Sequence, residues 1–309
     1  MTTKRRLAYS ALIYNAIIWG AAFPLIKPAF EFITPTQYLY FRFLVAGLLG
    51  LPIFLYYFVK KRPTFSYTLR LLAIELLGLP LPLILLYTGL DKTSALDASL
   101  IGATGPIFVV LGGIWYLGER QTKKEWQGLA LSLFGSLILV IEPLLLSTNL
   151  DTSSSTTGNL YIVGYNLLYA VYAIIAKKFY RTSPQLYFGP LLYLITAAIY
   201  AFMLSTQNQL PDCQLLTTNY QVLLPVLYMA IPGGILAFAL YLWAQSKIEV
   251  SEANLFTYLN GVVAIPAAFF LLGEKPTWIT LLAIVIIAYG VLRAETRYNP
   301  ATRAKNSKP

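Results

Sequence analysis

Two charged side chains lie inside long apolar stretches of this sequence, where each charge needs a physical reason. Arg42 lies in the apolar run over residues 36–59, and Glu75 lies in the run over residues 69–90. A charge near the centre of a membrane helix raises the insertion free energy by about 2.5–3.5 kcal/mol. Three roles are open for Arg42: snorkelling of its long side chain to the interface, anchoring an anionic group of a substrate, and locking two helices together.

Glu75 snorkels less easily, because its side chain is shorter. Two interpretations stay open for it: a titrating group that couples the protein's activity to protons, and a structural carboxylate that hydrogen-bonds to a neighbouring helix. On straight helices, Glu75 lies roughly 7–8 Å from one membrane face and Arg42 about 9–10 Å from the other. We therefore expect no direct ion pair between them.

Glu119 and Glu274 occupy equivalent places in an internal repeat. Residues 95–140 and residues 250–292 each contain two apolar runs that are joined at a polar corner, and Glu119 aligns with Glu274 at a spacing of 155 residues (274 − 119). We expect both carboxylates to hold helix corners by accepting backbone hydrogen bonds. A repeat of half the chain length, built from membrane-length apolar segments, is typical of a duplicated transporter core.

Polar and aromatic residues inside the apolar runs are the other candidates for a binding cavity. The alternative for each of them is an interhelical hydrogen bond, and most Tyr and Trp residues are expected in packing contacts or interfacial belts. The predicted substrate-binding residues are Asn15, Trp19, Arg42, Glu75, Asn166, Tyr169, Tyr172, Trp243, Asn254 and Tyr258.

The composition indicates an all-α integral membrane protein. Of the 309 residues, 57% are hydrophobic and 12% are charged, against roughly 45–50% and 25% in soluble domains, and the mean hydropathy is +0.64. With ~20 residues per span, about ten helices fit. The predicted spans lie near residues 9–29, 36–59, 69–90, 95–117, 124–146, 159–180, 185–205, 221–245, 250–272 and 277–293.

The basic residues set the predicted orientation. The net charge is +10, and 19 of the 23 Lys and Arg residues fall in segments that face the cytoplasm if the amino terminus does. This positive-inside pattern places both termini in the cytoplasm of a multi-pass protein of the inner (plasma) membrane. Because the basic residues lie in short loops and not on one face, the charge does not require nucleic-acid binding.

The predicted domain organisation is two halves of five spans each. Residues 1–146 form the first repeat, the Ser/Thr-rich residues 147–158 form a solvated linker, residues 159–295 form the second repeat, and residues 296–309 form a basic cytoplasmic tail. Five is an odd number, so the second half enters the membrane inverted, as in alternating-access transporters. The prolines of LGLPLPL and IPGG either kink their helices or break them beside a substrate cavity.

Several kinds of chemistry are excluded by residue counts. The sequence contains no histidine, so no histidine metal site or histidine acid/base mechanism is possible, and its single cysteine, Cys213, can form no internal disulfide. A Walker motif is also lacking, so this chain does not hydrolyse ATP through one. We predict no cofactor and no metal.

These features resemble the EamA-type branch of the drug/metabolite transporter superfamily. The matching motifs are Trp19-Gly20 in the opening helix, Arg42-Phe43, Pro106, and the corners LGER at 117–120 and LGEK at 272–275. The resemblance covers residues 9–293, with two departures: Gly261 stands in place of a second Pro106, and Tyr169-Ala170 in place of a second Trp-Gly. It implies a ten-helix fold of two repeats, with helices 1, 6 and 9 around the pathway.

The function implied by this resemblance is secondary transport, commonly export, of small organic metabolites such as amino acids. The partners are then a small-molecule substrate and the lipid bilayer, while a coupled proton and the oligomeric state stay open. The first alternative is a membrane-embedded enzyme acting on lipids or prenyl carriers, for which the outer side offers only Asp91 and Asp97. The second is a passive channel or facilitator, which needs a continuous polar lining.

Overall fold

The computed structural model describes residues 3–61, 64–102, 104–105, 107–109, 111–112, 123–146, 152–180, 188–245 and 259–295. Within these ranges all regular structure is helical and there is no strand. In chain order the helices are α1 (Thr3–Gly20), α2 (Ala22–Ile26), α3 (Pro35–Lys61), α4 (Phe65–Gly78), α5 (Pro80–Lys92), α6 (Ala95–Gly102), α7 (Lys123–Leu146), α8 (Thr152–Tyr180), α9 (Gly189–Thr206), α10 (Gln214–Thr218), α11 (Tyr220–Ala230), α12 (Ala237–Gln245), α13 (Leu259–Leu272) and α14 (Trp278–Glu295).

The helical segments confirm the membrane class. In the described part of the chain, six are long and apolar enough to cross a bilayer: Arg6–Glu31, Pro35–Lys61, Phe65–Lys92, Ser155–Ala176, Gly189–Thr206 and Tyr220–Tyr241. Four shorter apolar helices coincide with the other predicted spans: Ala95–Val109, Trp126–Leu139, Leu259–Leu272 and Trp278–Gly290. The count of ten spans stays a prediction.

Two of the long segments are interrupted at their prolines. In the segment Phe65–Lys92, α4 ends at Gly78 and α5 begins at Pro80, because proline lacks an N–H donor and its ring clashes with the preceding turn. In the segment Tyr220–Tyr241, the sequence IPGG begins a π-helical turn over Ile231–Leu236 that joins α11 to α12. π-turns inside α-helices occur frequently at functional sites. The interruptions coincide with the prolines that the sequence analysis singled out, and a substrate cavity beside them stays a prediction.

The start of α8 corrects the predicted linker. Residues 147–158 were expected to form a solvated loop, but the helix begins at Thr152. Its first turns pack closely on α5, since a Cβ atom at Gly158 would lie only 2.8 Å from the carbonyl oxygen of Gly89. One residue further on, Asn159 donates to the Leu139 carbonyl at 3.0 Å. Tertiary packing thus makes a polar Ser/Thr-rich stretch helical.

Helices α7 and α14 form a long antiparallel pair. At one end, Arg293 donates to the side-chain oxygen of Gln127 at 2.7 Å. At the other end, Thr280 donates to Glu142 at 2.8 Å. The carboxyl-terminal end of each helix therefore lies beside the amino-terminal end of the other.

The middle of this pair is tightly packed, and a glycine of each helix contacts the other helix. A Cβ atom at Gly135 would lie 2.7 Å from the Cγ1 of Ile287, and one at Gly290 would lie 2.8 Å from the backbone nitrogen of Ser132. Gly290 is 155 residues after Gly135, and Ile287 is 155 residues after Ser132. The two glycine contacts therefore exchange under the repeat spacing.

Candidate functional site

Arg42 is held among aromatic side chains in the first third of α3. It is the eighth residue of that helix and donates to the hydroxyl of Tyr87. Its guanidinium lies over two rings, 5.1 Å from the centroid of Phe43 and 5.7 Å from that of Tyr87. No carboxylate in the described ranges forms an ion pair with it. Because a guanidinium has five N–H donors, Arg42 retains donors for an anionic ligand.

The surrounding rings come from both halves of the chain. Tyr38 stacks on Tyr87 with centroids 5.4 Å apart, and Phe43 lies 5.4 Å from Tyr193 and 6.2 Å from Tyr200. Tyr193 and Tyr200 belong to α9, whereas the other three lie on α3 and α5. We call Tyr38, Phe43, Tyr87, Tyr193 and Tyr200 the aromatic box.

Of the tyrosines of this box, the sequence pattern indicated only Tyr38 as a cavity residue, and it did not indicate Tyr87, Tyr193 or Tyr200. One signal was available within each helix. Tyr38 and Arg42 are four residues apart and share a face of α3, and Tyr193 and Tyr200 are seven apart on α9. Nothing in the sequence indicated that these two faces meet.

A cavity of about 330 Å³ opens beside the box. Its lining residues are Lys27, Pro28, Phe30, Glu31, Asp91, Leu272 and Glu274. The ring of Phe30 contacts Tyr38 edge-on at 5.9 Å, and Tyr38 in turn stacks on Tyr87. We call this cavity the vestibule. A continuous series of ring contacts leads from it to Arg42.

The turn between α5 and α6 is held from two sides beside the vestibule. The Lys27 ammonium donates hydrogen bonds to the carbonyl of Leu90, at 3.0 Å, and to that of Thr93. Glu274 accepts from the backbone N–H groups of Ala95 at 3.0 Å and Leu96 at 2.9 Å. The first N–H groups of a helix have no partner within it, and a carboxylate there also interacts favourably with the helix dipole. Glu274 therefore caps a helix of the opposite repeat and not its own corner.

Glu75 lies just before the break between α4 and α5. It is 7% exposed and accepts a hydrogen bond from the hydroxyl of Tyr172 at 2.8 Å. The ring of Tyr172 crosses Gly78 so closely that a Cβ atom there would lie 2.6 Å from its Cζ. Glu75 thus accepts from Tyr172, whereas Arg42 donates to Tyr87. The ring of Tyr169 lies tilted against that of Tyr172, with centroids 5.7 Å apart, and Tyr169 is 39% exposed.

Asn15 and Trp19 bind α1 to the π-turn region. Asn15 donates to the carbonyl of Ala237 at 2.8 Å, and Trp19 donates to that of Gly233 at 2.9 Å. An irregular turn in an apolar setting leaves carbonyls that need outside donors. Both side chains supply such donors, which is the interhelical hydrogen bond that the sequence left open as the alternative.

The other predicted site residues are dispersed. Asn166 donates to the carbonyl of Ile101 at 2.8 Å, and its buried side-chain oxygen has no hydrogen-bond partner. Trp243 lies on α12 and is 40% exposed. Asn254, Tyr258 and Glu119 lie outside the described residues.

Glu142 is a buried carboxylate to which the sequence analysis gave no role. It is 5% exposed, and its Oε1 accepts from the hydroxyls of Thr280, at 2.8 Å, and Thr277. Its Oε2 is buried without a hydrogen-bond partner. The available signal was a glutamate near the end of the fifth span, but its partners lie 135 and 138 residues further along the chain. No cluster suited to a metal ion occurs among the residues that the structure describes.

Comparison with known proteins agrees with this architecture. A protein from Archaeoglobus fulgidus named as an uncharacterized transporter is 25% identical over 91% of this chain and 94% of its own length. The uncharacterized inner membrane transporter YedA of Escherichia coli K12 is 25% identical over 92% of this chain and 89% of its own length.

A solved crystal structure shares the fold. It is 17% identical to this protein, has a TM-score of 0.63, and the alignment covers 97% of this chain and 99% of the other. The model of the EamA-like transporter family matches the chain twice, over residues 6–141 and 156–294. The two matches together span most of the sequence. The chain therefore belongs to the EamA-like transporter family of membrane transporters.

Proposed function

We propose that this protein is a secondary transporter that moves small organic metabolites such as amino acids outward across the cytoplasmic membrane. The observation that carries the proposal is Arg42, a cation with spare donors among aromatic rings from both halves of the chain. The guanidinium binds the carboxylate of the substrate, because charge-assisted and bidentate hydrogen bonds to carboxylates are strong. The aromatic box packs against the rest of the substrate and accommodates an amphipathic or zwitterionic molecule.

The proposed mechanism is alternating access between two inverted halves of five spans each. Its support is the antiparallel, reciprocal packing of α7 on α14, in which Gly135 and Gly290 exchange roles under the repeat spacing. Transporters of this design bind substrate at the interface of the repeats, near the midplane of the bilayer. In the proposed topology both termini are cytoplasmic, and the vestibule, Lys27 and Glu274 face outward.

The aromatic rings between the vestibule and Arg42 close the outer side of the substrate pathway. Phe30, Tyr38 and Tyr87 are in contact, so a substrate leaving outward has to separate them. The turn between α5 and α6, which is hydrogen-bonded by Lys27 and Glu274, lies beside these rings, and we assign it the role of a hinge. The remaining candidates from the sequence stay predicted substrate contacts: Asn166, Tyr169, Tyr172, Trp243, Asn254 and Tyr258.

The test is counterflow of labelled amino acids in proteoliposomes that contain the purified protein. We expect saturable counterflow, and we expect an amino acid to compete better than its amide or methyl ester, since these derivatives lack the carboxylate that pairs with Arg42. Flux that does not saturate would support a channel. Product formation without solute movement would support a membrane-embedded enzyme.

A further inference from the structure

Two tyrosines of the aromatic box, Tyr193 and Tyr200, lie on α9, which packs closely on the helix that carries Arg42. A Cβ atom at Gly47 of α3 would lie 2.6 Å from the Cγ of Leu194 on α9 and 3.0 Å from its backbone nitrogen. Helices packed at this distance move as one unit, because neither can shift without a steric clash. Arg42 and the two tyrosines are therefore carried by one packed pair of helices, α3 and α9.

The hydroxyls of both tyrosines reach the two interrupted segments outside this pair. Tyr200 donates to the carbonyl of Pro80 at 2.8 Å, and Pro80 is the residue at which α5 begins after the break. Tyr193 donates to the carbonyl of Gly234 at 3.4 Å, and Gly234 lies within the π-helical turn between α11 and α12. Both interruptions are thus hydrogen-bonded to α9.

The two interruptions correspond closely under the internal repeat. Gly234 follows Pro80 by 154 residues (234 − 80), one less than the repeat spacing of 155. Proline breaks and π-turns are the places at which a helix bends, and in transporters built from repeats one half moves against the other. A single helix, α9, therefore contacts the bendable point of each half, once through Tyr200 and once through Tyr193.

The same two side chains are in contact with the surroundings of Arg42 through Phe43. The guanidinium of Arg42 lies 5.1 Å from the centroid of the Phe43 ring. That ring lies 5.4 Å from the ring of Tyr193 and 6.2 Å from the ring of Tyr200. Because close-packed rings are not displaced independently, a ligand that shifts Phe43 also shifts both tyrosines. Their hydroxyls then move relative to the carbonyls that they contact.

We propose that Tyr193 and Tyr200 are positioning residues that transmit the presence of substrate at Arg42 to the two helix interruptions, through their hydrogen bonds to Gly234 and Pro80. The inference rests on the proposed transport function and deepens it, since it names the residues through which binding starts the conformational change. A ligand shifts a conformational equilibrium only by interacting differently with its two states. Each hydroxyl supplies such a difference, because bending at the interruption makes or breaks its hydrogen bond.

The two hydrogen bonds are unequal in this conformation. The bond from Tyr200 has an ordinary length of 2.8 Å, whereas the bond from Tyr193 is long at 3.4 Å, and hydroxyl hydrogen bonds weaken beyond about 3.0 Å. The start of α5 is therefore held more firmly than the π-helical turn. Loss of the Tyr200 hydroxyl should have the larger effect.

The first experiment measures hydrogen exchange of the full-length protein with and without a mixture of the standard amino acids. In the wild type we expect the mixture to change the exchange of backbone amides at both interruptions. Tyr200→Phe keeps the ring and removes only the hydroxyl, so the change at the start of α5 should disappear while the change at the π-helical turn remains. Tyr193→Phe should show the reverse.

Counterflow kinetics in proteoliposomes separate substrate binding from the movement that follows it. In Tyr200→Phe the ring contact with Phe43 stays, so the KM for a labelled amino acid should be unchanged. The maximal rate should fall roughly fivefold, the equivalent of one hydrogen bond, and less in Tyr193→Phe. The matched control is Tyr228→Phe, which loses a hydroxyl that donates to the carbonyl of Ile18 in α1 at 2.7 Å and should leave both quantities unchanged.

The outcomes distinguish this inference from the proposed function. Absence of counterflow in the wild-type protein for every labelled amino acid would contradict the transport function. Counterflow without a change of exchange at either interruption, or a change at α5 that persists in Tyr200→Phe, would overturn the positioning role alone. A raised KM with an unchanged maximal rate in Tyr200→Phe would also overturn it, since Tyr200 would then act in substrate binding and not in movement.

Discussion

Arg42 and Glu142 are both ionisable groups in an apolar interior, yet their surroundings differ. The guanidinium of Arg42 lies over the faces of Phe43 and Tyr87 and uses one hydroxyl. The carboxyl group of Glu142 lies between two threonine hydroxyls and has one oxygen unpaired. A cation is attracted to the negative face of an aromatic ring, whereas a carboxylate is not.

The difference lies in what each group can still bind. Arg42 is stabilised by rings and still has N–H donors, so a binding partner has to bring negative charge. Among the described residues, the hydrogen bonds of Glu142 come from Thr277 and Thr280, and its Oε2 has no hydrogen-bond partner. The aromatic box is therefore suited to a substrate anion, whereas Glu142 joins the end of α7 to the start of α14.

The largest effect is expected from Arg42→Gln, which removes the cation from the aromatic box. A charge-assisted hydrogen bond contributes about 1.5–3 kcal/mol, so the apparent KM for a carboxylate substrate should rise on the order of 10–100-fold. Arg42→Lys keeps the charge but lacks the planar guanidinium, so its apparent KM should lie between those of the wild type and Arg42→Gln. Concentration series of counterflow measure both. An unchanged KM in Arg42→Gln would remove the basis for a carboxylate site.

The next effect concerns the α7–α14 pair that supports Glu142 without contacting Arg42. In Gly290→Ala, the new Cβ meets the backbone of Gly128 at 2.7 Å and of Ser132 at 2.8 Å, and overpacking of this kind destabilises by about 1–3 kcal/mol. The repeat-equivalent Gly135→Ala is the matched control. Its closest contact is with the side chain of Ile287, which can move. Thermal unfolding in detergent should give a lower Tm for Gly290→Ala than for Gly135→Ala. Equal Tm values would contradict the idea that a backbone contact tolerates the new Cβ less well than a side-chain contact.

A smaller loss of stability is expected from Glu274→Ala. The substitution leaves the N–H groups of Ala95 and Leu96 without their acceptor, and the loss of a helix cap destabilises by about 0.5–2 kcal/mol. Hydrogen exchange at these two amides should become faster, while the amides of α3 around Arg42 stay protected. Faster exchange around Arg42 as well would show that the aromatic box and the capped start of α6 open as one cooperative unit.

The smallest effect is expected from Tyr87→Phe. The ring and its stacking on Tyr38 remain, and only the hydroxyl that accepts from Arg42 is lost. A single hydrogen bond contributes about 1 kcal/mol, so the KM for a carboxylate substrate should change by roughly fivefold. If Tyr87→Phe equals Arg42→Gln in the same counterflow assay, the hydroxyl and not the cation carries recognition.

Much of the fold followed from local sequence patterns. Continuous apolar runs of about 20 residues must be helical in a bilayer, since each backbone polar group has to find its partner within the segment. The prolines at Pro80 and Pro232 likewise marked real interruptions, because proline removes a helical donor wherever it stands. The polar stretch before Gly158 was assigned to a loop, because its close packing on Gly89 is a contact between distant segments.

The candidate sites depended on contacts that no local pattern contains. Arg42 was identified from its charge alone, but its neighbours Tyr193 and Tyr200 belong to a helix about 150 residues away. Glu142 was missed because a glutamate near the end of a span resembles an interfacial residue until Thr277 and Thr280 are placed against it. Glu274 was expected to act on its own corner, and its backbone partners lie 178 and 179 residues earlier.

The sequence by itself determined that the chain is helical, lies in a membrane and repeats at a spacing of 155 residues. These properties follow from hydropathy and residue order, which act within a segment. Only the tertiary structure decided which charges have partners, because a charge in an apolar interior is stabilised by whichever side chains reach it from other helices. For Arg42 those are aromatic rings, and for Glu142 they are the hydroxyls of two threonines.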